Sequence, residues 1–151
     1  MTEKKTKVMV FGTFDIIHKG HIHMLKEAKE YGDILVVVLA RNQTIKRIKR
    51  RDPLNNEMIR KLNIEKLNIA DKVLFGDLKN RYKRIQEEKP DIIALGYDQK
   101  AFVDKLAENI DDNTQIVRLA PYNPHLYKTT KILEKMKQEK NNYEKDISSH
   151  N

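Results

Sequence analysis

A chain of 151 residues, 39% of them apolar and 34% charged, has the length of one domain with its own core and a heavily charged surface. The absence of cysteine excludes disulfides, thiolate metal sites and cysteine nucleophiles, and no apolar run reaches the ~18 residues that would suggest a membrane span. A formal charge of +8 suits a polyanionic partner but does not choose between a nucleotide and a nucleic acid. The first seven residues are mostly polar and charged, and the apolar stretch after them is too short for a signal peptide, so the expectation is a cytoplasmic protein.

Val8-Met9-Val10-Phe11 reads as a buried strand that runs straight into Gly12-Thr13-Phe14-Asp15. In open parallel sheets, ligands bind beyond the carboxyl ends of the strands. Gly12 leaves room for backbone to approach a ligand, and Thr13 and Phe14 can offer N–H groups to phosphate. The next helix begins near His18 to Gly20 and brings unpaired N–H groups and a partial positive charge. His18 and His21, three apart, share one face of it, with Gly20 between them leaving space for a phosphate chain. His23 falls roughly 140° around from His18 on a helix of 3.6 residues per turn and reads as a surface residue. A lone histidine at a helix start is more often a cap or a solvated side chain. Two of them with a spacing glycine, behind a buried strand, favour a phosphate site. A metal pair is the rival reading, for which the sequence shows no clear third ligand.

Ile22, Leu25, Ala28 and Tyr31 continue the first helix as an apolar stripe. The run Ile34 to Ala40 is apolar throughout and rich in β-branched residues, so it needs cover on both faces and belongs in the middle of a parallel sheet. The cluster at 46–51 holds five cations in six residues, either a solvated face or a collector of anionic substrate. Met58, Leu62 and Leu67 support a helix that carries Arg60, a site residue or a surface cation. Val73–Phe75, Ile92–Leu95 and Ile116–Leu119 are further strands, and 79–88 and 99–109 further helices. Asp98, beyond the fourth strand, is a helix N-cap or a ligand contact, roles that share one geometry. Thr129 and Thr130 are open to the same two readings at the start of a last helix through Ile132, Leu133 and Met136, and Tyr127 is a packed aromatic or a nucleotide contact. The alternation predicts an α/β fold with a parallel sheet covered on both faces, over one domain at 1–136; the polar stretch 137–151 is expected to be disordered.

Gly12-Thr13-Phe14-Asp15 followed by His18-Lys19-Gly20-His21 resembles the signature of the cytidylyltransferase-like nucleotidyltransferases, a likeness that extends over roughly residues 7–136. The resemblance implies a Rossmann-like doubly wound, five-stranded parallel sheet with the nucleotide over the first strand–helix turn, met by Gly12, Thr13, Phe14, Asp15, Lys19 and Gly20. Residues Ala40 to Thr44 look like the family's substrate-side loop, and Arg60 stands where relatives carry an arginine. Lys46 or Lys49 corresponds to a lysine placed beside the triphosphate, and the segment around Tyr127, Thr129 and Thr130 looks like the hydroxyl-rich stretch that contacts it. Leu95-Gly96-Tyr97-Asp98-Gln99 is similar to the Leu-Gly-x-Asp-Gln of archaeal-type FAD synthases, whereas the Arg and Gly-Ile-Ser of glycerol-phosphate cytidylyltransferases are missing before the last helix.

The resemblance therefore implies transfer of AMP from ATP to FMN with release of pyrophosphate. CTP with glycerol 3-phosphate is the alternative within the family. A basic nucleic-acid-binding module is the alternative of another class, and it lacks an aromatic stacking pattern and a recognition helix. Also implied are His18 and His21 on the α- and β-phosphates, a bridging divalent cation, ATP and FMN as partners with no nucleic acid or membrane, and a homodimer.

Overall fold

A computed structural model describes residues 4–100, 105–121 and 136 of the chain. Tyr127, Thr129, Thr130, the rest of the last predicted helix and the tail from 137 lie outside the described residues. Five strands, β1 (Lys7–Gly12), β2 (Ile34–Leu39), β3 (Lys72–Phe75), β4 (Ile92–Leu95) and β5 (Gln115–Arg118), form one sheet in the order β3-β2-β1-β4-β5. All four pairings are parallel. Between the strands run α1 (Lys19–Glu30), α2 (Asn42–Lys49), α3 (Glu57–Lys66) and α4 (Lys83–Glu88), with a short 3-10 turn at Ala107–Asn109.

The strand order reverses direction at β1. The chain steps outward through β2 and β3, then returns to place β4 on the other side of β1. Loops leaving the carboxyl ends of β1 and β4 therefore part from each other, and the crevice they open is where such sheets hold ligands. Strands β1 and β2 are paired from Lys7↔Ile34 to Gly12↔Leu39, so Gly12 ends level with Leu39 and the two following loops emerge side by side.

Both central strands are apolar without alternation because both of their faces are covered. Val8 and Val10 pack with Leu35 and Val37 against Leu25 and Ala28 of α1 and Ile64 of α3. Met9, Phe11, Val36 and Val38 face the opposite way, towards Ile85 of α4 and Leu106. The edge strand β5 is mostly exposed, Ile116 included, so its apolar letters overstated its burial.

Several helices differ from the sequence expectation: of the predicted 79–88 only Lys83–Glu88 is α-helical, and among the described residues of 99–109 there is 3-10 turn and no α-helix. The basic stretch predicted only as a charged run is largely the helix α2, with Ile45 alone buried. In α3 the apolar residues that suggested the helix, Met58 and Leu62, are more than half exposed, while Arg60 and Ile64 form its buried face. Periodicity identified the element but assigned its inner face to the wrong residues, because the buried face holds a cation.

Candidate functional site

The turn after β1 is built around Phe14. Its backbone is in the left-handed region, φ 50°, and its ring is 3% exposed in the core. The ring lies across Gly12: a β-carbon there would stand 2.6 Å from Phe14 Cε2 and 3.0 Å from Cζ. Gly12 is thus required first by Phe14, and not only by the approach of a ligand as its sequence context suggested. Gly12→Ala is expected to destabilise the chain by about 1–3 kcal/mol through overpacking. Gly96→Ala, whose nearest neighbour would be Met24 Sδ at 3.7 Å, should shift stability much less; thermal denaturation of the two variants checks this.

Beyond Phe14, His18 caps α1. Its Nδ1 accepts from the Gly20 N–H at 3.1 Å, and the His18 N–H donates back to His21 Nδ1 at 3.4 Å. This is a capping box with imidazoles in both roles. The rings stack, with centroids 3.8 Å apart and planes inclined by 23°, and the Phe14 ring meets His21 edge-on at 5.2 Å. The three-residue spacing does bring the pair together on one face. Accepting the Gly20 N–H on Nδ1 leaves the proton of a neutral His18 ring on Nε2, which makes it a fixed donor.

Burial and the neighbouring His18 push His21 down to about 3, with the Lys49 charge adding to the fall against the Ile16 carbonyl. Burial lowers His18 too. Both rings are neutral donors at pH 7. Stacked faces with Nδ1 committed to backbone are a poor arrangement for a shared metal ion. Among the described residues, no group of three or more His, Asp or Glu side chains is placed to hold one.

Asp15 and Arg60 face inward. The Asp15 carboxylate is 2% exposed and accepts from the Leu54 and Asn55 N–H groups at 2.8 Å each. Asn55 Nδ2 returns a bond to the Asp15 carbonyl at 2.6 Å. Arg60 has no solvent exposure. It donates from Nε to the Asn55 carbonyl at 3.1 Å, from Nη1 to the Thr13 carbonyl at 3.0 Å and from Nη2 to Asn42 Oδ1 at 2.9 Å. Burial lowers its pKa, opposed by Asp15 and Glu57. Both residues brace the turn from behind. The sequence offered Asp15 as a ligand contact and Arg60 as a site residue or a surface cation, the latter excluded by its burial, and carried no sign of the loop at 54–56 that they hold.

A cavity of about 430 Å³ opens at the carboxyl ends of β1 and β2. Gly12, Thr13 and Gln99 line one side; Arg41, Thr44, Arg47 and Lys49 come from the start of α2 and its length. Asp77, Lys79 and Arg81 come from the loop after β3, and Phe11, Val38, Leu39, Ile45, Ile48 and Leu78 supply apolar lining. His18 and His21 are not among its lining residues. Lys49 links the two regions: it lines the cavity and its charge is felt at His21. Desolvation and Arg51 lower its pKa, with Asp15 and Asp98 pulling the other way. Lys46, the other candidate in the cluster, has a side chain 70% exposed and lies 4.0 Å from Asp52.

The remaining predicted residues fall around this centre. Lys19 is exposed in the first turn of α1, and Gly20 is half-buried as the donor to His18. Asp98 is exposed in the turn after β4. Next to it, Gln99 Oε1 accepts from the Gly96 N–H at 3.3 Å and its Nε2 donates to the Phe11 carbonyl at 3.4 Å, joining the ends of β1 and β4. His23 is at the surface beside Glu27, 3.5 Å away, as its position on the helix predicts.

Residues 9–151 match the cytidylyltransferase-like family model. A FAD synthase of Aciduliprofundum boonei is 40% identical over 134 residues, 86% of this chain and 89% of that protein. A FAD synthase of Thermococcus sibiricus is 38% identical over 139 residues, 89% of this chain and 94% of that protein. Among solved structures, one titled a lipopolysaccharide core biosynthesis protein, from Thermoplasma volcanium, superposes with a TM-score of 0.73 at 41% identity, over 80% of this chain and 100% of that one. A pantoate-beta-alanine ligase from Francisella tularensis, at 17% identity and a TM-score of 0.56 over 87% of this chain and 69% of that one, shares the fold.

Proposed function

This chain belongs to the cytidylyltransferase-like family, and on that premise we propose that it is a FAD synthase, a nucleotidyltransferase that joins the adenylyl group of ATP to FMN and releases pyrophosphate. The observation that carries the reading is the stacked histidine pair that caps α1 behind the carboxyl end of β1, with a cavity edged by cations at the same end of the sheet, in a chain whose curated relatives include FAD synthases. Those relatives favour ATP and FMN over CTP and glycerol 3-phosphate.

An oxygen of the FMN phosphate attacks the α-phosphorus of ATP. The new P–O–P link forms as the bond to the β-phosphate oxygen breaks, and pyrophosphate leaves with the bonding pair. A phosphate monoester has its second pKa near ~6, so the nucleophile is already ionised at neutral pH and needs no general base. The barrier is the approach of two anions and the charge that grows on the leaving group. Positioned donors lower it without any rearrangement at the moment of reaction.

His18 and His21 act as neutral donors to the α- and β-phosphate oxygens. The start of α1 and the Thr13 backbone hold the triphosphate, and Lys49 offsets charge where acceptor and donor phosphates meet. The mixed cavity suits FMN: Phe11, Val38, Ile45 and Leu78 accept the flat ring system, and Arg41, Arg47, Lys79 and Arg81 draw in its phosphate. A divalent cation would arrive on the phosphate oxygens themselves, as magnesium commonly does, and would withdraw charge from them.

The test is a pyrophosphate-release panel with ATP and CTP, each against FMN, glycerol 3-phosphate and phosphopantetheine. ATP with FMN should exceed every other pair. If CTP with glycerol 3-phosphate gives the fastest release, the substrate assignment is wrong and the chemistry stands. No release with any pair removes the enzyme reading.

A further inference from the structure

We propose that Arg60 is a positioning residue that sets the distance between the nucleotide turn and the acceptor wall of the cavity. The first turn of α3 touches both. Arg60 Nη1 holds the Thr13 carbonyl in the turn after β1, at 3.0 Å, and Nη2 holds Asn42 Oδ1 at the start of α2, at 2.9 Å. Glu57, one turn earlier on the same helix, accepts from Arg41 Nε at 2.7 Å and from the Asn42 N–H at 3.1 Å. Arg41 also lies over the Phe75 ring, 5.4 Å from its centroid, and itself lines the cavity.

Thr13 belongs to the segment that receives ATP, and α2 carries the cations that receive the acceptor. Besides the Ala40 N–H to Gly12 carbonyl bond at 3.0 Å between the two loops, α3 holds both: Thr13 through Arg60, and the start of α2 through Arg60 and Glu57. A buried guanidinium is costly to desolvate, and three of its nitrogens are matched to fixed oxygens, so the spacing it defines is stiff. Reacting atoms must come within about 3–3.5 Å in line, and a misplacement of roughly 1 Å far from the chemistry can cost a hundredfold in rate. Arg60 has no solvent exposure, so it acts through Thr13 and Asn42 and not by touching substrate.

Asn42 offers the cleaner test, since removing a fully buried arginine endangers folding. Asn42 is not among the cavity-lining residues, and Asn42→Ala cuts one arm of the link while leaving Glu57 on the backbone N–H. With ATP and FMN, Asn42→Ala should lower kcat about tenfold and leave both KM values within about twofold. Asn42→Asp, which keeps an oxygen facing Arg60, should restore kcat. Loss through KM alone, unchanged kcat, or failure of Asn42→Asp to restore it would each overturn the proposal.

These rates rest on the FAD synthase reading. A second measurement does not: amide hydrogen exchange across residues 12–16, without substrates, should quicken in Asn42→Ala and not in Asn42→Asp. Equal exchange in all three proteins overturns the link whatever the acceptor is. Absent FAD formation by the wild type, with the exchange pattern as expected, overturns the substrate assignment instead.

Discussion

Alanine in place of His18 or of His21 is expected to cut kcat for FAD formation roughly a hundredfold, the usual cost of removing one donor that strengthens its contact in the transition state. Little change is expected in the KM for ATP, because Thr13 and the start of α1 still bind the triphosphate. The rings stack at 3.8 Å, so removing one strips its neighbour of the surface that holds it in place. The double variant should therefore lose much less than the product of the single losses. Steady-state pyrophosphate release at saturating ATP and FMN measures all three. Near-normal turnover in either single variant would end the role assigned to the pair.

The same rings predict an acid-sensitive fold. Both pKa values lie below the 6.5 of an ordinary histidine, His21 at about 3, so the folded chain binds fewer protons than the unfolded chain between those limits. Stability from this source is complete above pH 6.5 and drains away as pH falls towards 3. Protonation also places a proton on Nδ1, against the backbone N–H it now accepts, so acid dismantles the cap itself. Urea denaturation at pH 4.5 and 7.5 should show a smaller loss of stability on acidification in His21→Ala than in the wild type.

The sheet and the histidine pair were legible in the sequence, and the reasons are physical. Strands covered on both faces leave unbroken β-branched runs such as Ile34 to Leu39, and two residues three apart at a helix start must share a face. Arg60 was legible as a site residue or a surface cation but not as a brace, since nothing local says that its partners are Thr13, Asn42 and Asn55. Periodicity even pointed outward in α3, where Met58 and Leu62 are exposed. Phe14 looked like a donor of backbone N–H; that its ring fills the space over Gly12 depends on a left-handed backbone that sequence does not announce. In α2 a mostly polar helix left only Ile45 as a buried residue, too little for an apolar pattern.

That helix carries the second large effect. Lys46 and Lys49 are indistinguishable as letters in a basic run, yet they lead separate lives three residues apart. Lys49 lines the cavity, and its charge acts on His21 and is acted on by Asp15 and Asp98. On the proposed reading it is the cation set between the acceptor and the histidine pair. Lys49 is exposed, as Lys46 is, but desolvation and Arg51 lower its pKa, and the arrival of two phosphate groups would oppose that tendency. Lys49→Met should lower kcat/KM with ATP and FMN by roughly a hundredfold, in the range of losing one donor to the reacting phosphates. Lys46→Met, which removes an exposed side chain 4.0 Å from Asp52, should stay within about twofold of the wild type. The difference between the two should shrink as salt is raised only to the extent that Lys49 acts by long-range attraction; a contact made directly on a phosphate is screened less. Equal losses in the two variants would return the whole cluster to the status of a diffuse positive field and remove Lys49 from the reacting phosphates.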